Sequence, residues 1–130
     1  MKVVMNLTAA AFLAVAVAAP SQAQDRRVAY SAGDTSFVGW MVFNGEEFEL
    51  YPDQDQVRQP FSRPCVSGAA SRNLMRQAHD LVGRKVRITG ETAAWSDDLP
   101  GHRLTHRGSN IRNECSGDFV ILADSIRPAN

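Results

Sequence analysis

The sequence predicts a small, mainly β domain with one α-helix, stapled by one disulfide. Three observations carry this. Phe37 to Tyr51 and Arg84 to Trp95 are strand-like, the second with Val86, Ile88 and Gly90 alternating against Lys85, Arg87, Thr89 and Glu91. That period of two puts one face on a core and the other in water. Leu74, Ala78 and Leu81, with Met75 and Val82 beside them, instead repeat at helical spacing. The chain has 2 cysteines, Cys65 and Cys115, on either side of the strongest strand.

From the N-terminus, Met1-Lys2 gives a short positive start and Val3 to Ala19 is almost wholly apolar. Pro20 ends the run and Ser21-Gln22-Ala23 is a small-x-small exit. Together these predict a secretory signal peptide over residues 1–23, cleaved near Ala23. The run is slightly short for a membrane span, so no span is expected after cleavage. The expected location is periplasmic or secreted. Gln24 to Thr35 reads as a polar lead-in and residues 36–128 as one domain. Without Lys2 the mature chain carries one more acid than base. Nucleic-acid binding needs a clear basic excess and is not expected. Two cysteines in an exported chain predict a Cys65–Cys115 bridge, which such a small core would need.

Asn44-Gly45 between two strand-like runs predicts a hairpin with both residues in the turn. Met41 then faces Phe48, and Trp40 faces Glu49. One face holds Phe37, Met41, Phe48 and Leu50, a core face. The other holds Val38, Trp40, Val42, Tyr51, Glu47 and Glu49. Pro52 to Pro64 reads as a loop with a short edge strand over Val57 to Phe61. Ser67 or Ser71 can cap the helix, and Gly83 stands where a left-handed C-cap belongs. Gly90 suggests a bulge or tight bend at a barrel corner. His102 to Arg107 reads as a short strand, Gly108-Ser109-Asn110 as a turn, and Asp118 to Ala123 as a strand buried on both faces.

Leu81 to Gly90, read as Leu-x-Gly-x-x-Val-x-Ile-x-Gly, is followed by an apolar strand ending in Ser125-Ile126. This stretch resembles small OB-type barrels of exported bacterial proteins. The resemblance implies a small OB-like β-barrel, with the helix between its third and fourth strands. It does not carry a function.

Chemistry is sparsely marked. There is no H-E-x-x-H, zinc cysteine pair, G-x-S-x-G or glycine-rich phosphate loop, so neither a catalytic residue nor a metal or cofactor is assigned. His102 and His106, with Asp97 and Asp98 upstream and Glu114 downstream, are the best metal candidates. Four residues along a strand separate them by roughly 13 Å. Trp40, Tyr51, Arg87, Trp95, Arg103 and Arg107 are the ligand-binding candidates, as an aromatic and guanidinium-lined groove for an anionic glycan or an acidic protein partner. The ordinary alternative is a set of solvated strand faces with cross-strand ion pairs. The expected function is a non-enzymatic periplasmic binding or interaction module. A small envelope enzyme using His102 or His106 and a structural or stress-related envelope protein are the alternatives.

Overall fold

The structure, a computed structural model, describes residues 30–130. The expected signal peptide and the start of the lead-in lie outside the described residues. Strands β1 (Ser36–Asn44), β2 (Glu47–Tyr51), β3 (Val66–Ala69), β4 (Lys85–Ala94) and β7 (Phe119–Pro128) close a barrel in the order β1-β2-β3-β7-β4. All pairings are antiparallel except β3 with β7. Helix α1 (Arg72–Gln77) continues as a 3-10 turn over Ala78–Leu81 and lies between the third and fourth barrel strands. This is the expected OB-like arrangement, and Cys65 and Cys115 are bridged with Cα atoms 5.5 Å apart. Two further short strands, β5 (Leu104–His106) and β6 (Ser109–Ile111), form a separate hairpin between β4 and β7.

The interior is Phe37, Met41, Phe48, Leu50, Val86, Ile88, Val120 and Ile121, with Met75 and Ala78 of the helical segment capping it. The face assignment of the first hairpin therefore holds, but its register does not. Asn44 pairs with Glu47, Phe43 with Phe48 and Met41 with Leu50. The turn residues are Gly45 and Glu46, and only Gly45 has positive φ, at 67°. A turn with positive φ at its first central position needs glycine there alone. The offset from the expected pairing is two residues, an even number, so every side chain keeps its face.

Other expectations are corrected. Val57 to Phe61 is no strand, since Gln54–Arg58 is a 3-10 turn closed by the Gln56 side chain accepting from the Asp53 amide at 3.0 Å. Ser71 caps the helix, accepting from the Leu74 amide at 3.2 Å. Ser67 instead lies in β3. The late turn is at Arg107-Gly108, both with positive φ, leaving Ser109 and Asn110 in β6. Strand β7 runs on to Pro128, and its apolar run is only partly two-sided, with Phe119 and Leu122 half-buried. Gly90 does mark an irregularity. Thr89 faces Ser125 while Gly90 faces Ala123, so Asp124 is left over as a bulge. A side chain at Gly90 would run into the Leu122 carbonyl. The described part of the lead-in is tied to the barrel by Tyr30, whose hydroxyl donates to the Val38 carbonyl at 2.8 Å, and by the Gly33 amide, which donates to Thr92 Oγ1 at 2.8 Å.

Candidate functional site

The connection from Trp95 to Asp118 is long and folds back over β2 and β3, with β6 packed on both strands. It covers the side of β2 that faces away from the interior, where Glu47, Glu49 and Tyr51 point. Both carboxylates are only 2% exposed and Tyr51 is fully buried. Glu47 holds the connection directly. Its Oε1 accepts from the Arg112 amide and its Oε2 from the Glu114 amide at 2.9 Å. Ser67 Oγ accepts from the Cys115 amide at 3.0 Å, beside the disulfide. Glu49 receives the Tyr51 hydroxyl at 2.8 Å and the Asn44 side-chain amide at 3.3 Å. Burial pushes its carboxyl above the ordinary value, against the pull of those two bonds, and Glu47 and Glu114 add to the rise. The Tyr51 phenol is pushed up to about 12 by burial and by its bond to Glu49.

Beyond the disulfide, the Asn113 side chain clasps the next turn. Its Nδ2 donates to the Gly117 carbonyl at 2.8 Å and its Oδ1 accepts from the Gly117 amide at 3.2 Å. Asn113 and Ser116 both adopt positive φ here. This rigid turn forms one wall of a cleft of about 500 Å³. Trp95, fixed by its amide donating to the Asp118 carbonyl at 2.8 Å, lines the cleft. Asp97, His102, Arg112 and Asp118 complete it. None of these four side chains makes a hydrogen bond or ion pair to another described residue. The cleft thus combines one indole with a guanidinium, an imidazole and two carboxylates that have no assigned internal work.

The structure does not bring the six expected binding residues together. Trp40 is half-buried beside Lys85, whose ammonium lies 5.4 Å from the ring centroid. Trp40 pairs with Lys85 at the start of β4, and Trp95 follows the last residue of that strand. The two indoles thus stand at opposite ends of β4, a strand with a contour of roughly 30 Å. Tyr51 is inaccessible. Arg87 is exposed on β4 and donates to Ser36 Oγ at 3.1 Å. Arg107 pairs with Asp124 at 3.5 Å, and Arg103 lies near Glu46, whose carboxyl it helps hold low after the dominant bonds from Asn110. Only Trp95 stands in the cleft. Of the two histidines, His102 lines it, whereas the His106 ring contacts the Ala123 carbonyl at 3.1 Å. Among the described residues, no group of three or more His, Cys, Asp or Glu side chains could hold a metal ion.

Arg112, Asn113, Ser116, Gly117 and Asp118 are the cleft residues that are not among the candidates named from sequence. Asn113 and Gly117 carried the one available signal, since Asn tolerates a left-handed backbone and can bond its own turn.

No protein-family model, curated protein or solved structure matches this chain. Its function is therefore read from its own geometry. Among the described residues, no helix is long and apolar enough to cross a membrane.

Proposed function

We propose that the protein is a non-enzymatic binding module of the bacterial envelope, and that its ligand is a saccharide chain carrying carboxylate groups. The observation that supports this reading is the cleft at Trp95, with its unengaged polar side chains. An indole face gives the apolar C–H side of a sugar ring a flat surface of low conformational cost. Arg112 offers a planar fork to a carboxylate. Asp97 and Asp118 offer acceptors to sugar hydroxyls and, by like-charge repulsion, keep the ligand's carboxylate against Arg112 rather than against themselves. The volume of the cleft falls within the range of small-molecule sites. Export to the periplasm is part of the proposal and rests on the signal pattern of Met1 to Ala23.

The test is a calorimetric titration with oligogalacturonate, its methyl ester and an acidic peptide, a readout that does not depend on Trp95 as reporter. Saturable binding of the free oligosaccharide is expected, lost in Trp95→Ala and weakened in Arg112→Gln. The methyl ester should bind several-fold more weakly, since it offers Arg112 no anion. No saturable change up to about 5 mM, or equal binding by Trp95→Ala, would overturn the reading. Tighter binding of the acidic peptide would replace the glycan with a protein partner. The presence of His102 beside Asp97 in the same cleft is the observation that favours the enzymatic alternative. Release of new reducing ends from the oligosaccharide, abolished by His102→Ala, would establish it.

A further inference from the structure

A second depression, of about 440 Å³, lies between helix α1 and the β1–β2 turn and shares no lining residue with the Trp95 cleft. Its apolar wall is Phe43 and Met75, both continuous with the barrel core. The His79 ring stacks on Phe43 with centroids 4.5 Å apart and planes 20° from parallel, extending that wall as a flat surface.

The charged lining is Arg72, Arg76 and Glu46. Arg72 is held in place by Nε, which donates to the Gly108 carbonyl at 2.7 Å, and its terminal nitrogen stands 4.0 Å from Glu46. Among the described residues Arg76 donates to Asn73 Oδ1 of its own helix alone, at 3.0 Å, and it is exposed. Among the described residues Glu46 is the one carboxylate lining this depression, and both of its oxygens accept from the Asn110 side chain. It offsets Arg72 and leaves Arg76 as the unbalanced charge.

We propose that this groove is a second binding site, for a monoanionic carboxylate attached to an apolar body, of the aryl- or alkyl-acid class. The apolar body lies against Phe43, His79 and Met75, where it removes area from water. The carboxylate meets the Arg76 guanidinium, whose fork matches two oxygens. Glu46 at the rim disfavours a second negative charge by like-charge repulsion. Such a carboxylate could belong to a free acid or to the C-terminus of a peptide ending in an apolar residue. The recognition chemistry is the same for both.

The experiment is an amide-resolved NMR titration of the labelled protein with four probes: 4-phenylbutyrate, its amide, and Ala-Ala-Phe with a free or an amidated C-terminus. Saturable shifts are expected at Gly45, Glu46, Met75 and His79 with 4-phenylbutyrate, and at least about tenfold weaker binding with its amide. The free tripeptide binding more tightly than the free acid would identify a chain end as the natural source, and the reverse a small acid. Arg76→Gln should weaken 4-phenylbutyrate by a similar factor. That residue is exposed and bonds only within its helix, so the fold is kept, and unshifted spectra of the unliganded variant check this. Trp95→Ala should leave the titration unchanged. Equal binding of the amide, shifts confined to the Trp95 cleft, or no saturable shift at about 10 mM would each overturn the proposal.

Discussion

Replacing Glu47 by Gln keeps the size and shape of the side chain but removes one of two acceptors. In the protein its two oxygens receive the amides of Arg112 and Glu114, and the residue is almost fully buried. A hydrogen bond to a charged group contributes about 1.5–3 kcal/mol. In Glu47→Gln one N–H would face the new amide nitrogen, a donor against a donor. The expected loss is roughly 2–3 kcal/mol. Glu47→Ala removes both acceptors, with an expected loss of roughly 3–5 kcal/mol, limited because the connection can lift and let water reach the freed amides. Against a typical total of about 5–15 kcal/mol for a domain, either change is readily measured by urea denaturation at neutral pH. Amide exchange gives the local signature: Arg112 and Glu114 should lose protection before the barrel strands do. Because Arg112 also lines the Trp95 cleft, ligand affinity should fall with it. If Glu47→Gln unfolds within about 0.5 kcal/mol of the parent, with unchanged exchange at both amides, Glu47 is not the tie that the geometry makes it.

Glu49→Gln should behave differently. Its folded carboxyl titrates above the ordinary value, so its contribution is full below the unfolded value of about 4.3 and is lost as pH rises through the folded value. The variant should therefore gain on the parent between about pH 4 and neutrality, and a pH-independent gap in urea midpoints would refute this. Alkaline difference spectroscopy should show neither of the 2 tyrosines ionising near pH 10 while the protein is folded. Both should appear together on unfolding, and a phenolate at pH 10 in the native protein would contradict the full burial of Tyr51 and the half-burial of Tyr30. Replacing Cys65 and Cys115 by Ser should lower stability by roughly 2–4 kcal/mol, read from denaturant midpoints, and equal midpoints would count against the bridge. Gly45→Val should lower the melting temperature more than Ser96→Val, because Gly45 sits at positive φ, and equal losses would argue against the turn.

What was legible in the chain was what depends on local pattern. The alternation of Phe37 to Tyr51 and of Lys85 to Gly90 named the interior side chains, even though the hairpin register was displaced by two. Helix position followed from its stripe and from Gly83. Strand β3 was hidden because its residues are chosen for closeness rather than for strand preference. A Cβ at Gly68 would lie 2.6 Å from both the Ile121 carbonyl and the Phe48 ring, so only a very small residue fits between β2 and β7. Read locally, Ser67-Gly68-Ala69-Ala70 looks like the approach to a helix. The cleft was illegible for a different reason. Trp95, Asp97 and His102 are near neighbours in the chain, but the wall from Arg112 to Asp118 arrives because Glu47, Ser67 and Cys65 hold that segment from some 50–70 residues away. No sequence window contains that geometry. Trp40 and the arginines, judged by type alone, dispersed to separate surfaces.

The parallel pairing of β3 with β7 has a consequence for the order of assembly. It closes the barrel between Gly68 and Ile121, and such non-local pairing is slow to find because loop closure must be met before any contact rewards it. Cys65 stands immediately before β3, and Cys115 shortly before β7. Oxidation would join the chain a few residues from the site of that pairing, replacing a search through some 50 residues with one through a handful. A chain oxidised while still unfolded should then zip β7 onto β3 and β4 rapidly, whereas a reduced chain must make the same closure by diffusion. Refolding from urea with the bridge intact is expected to run at least tenfold faster than for the double-serine variant, with most of that difference in the folding arm of the chevron.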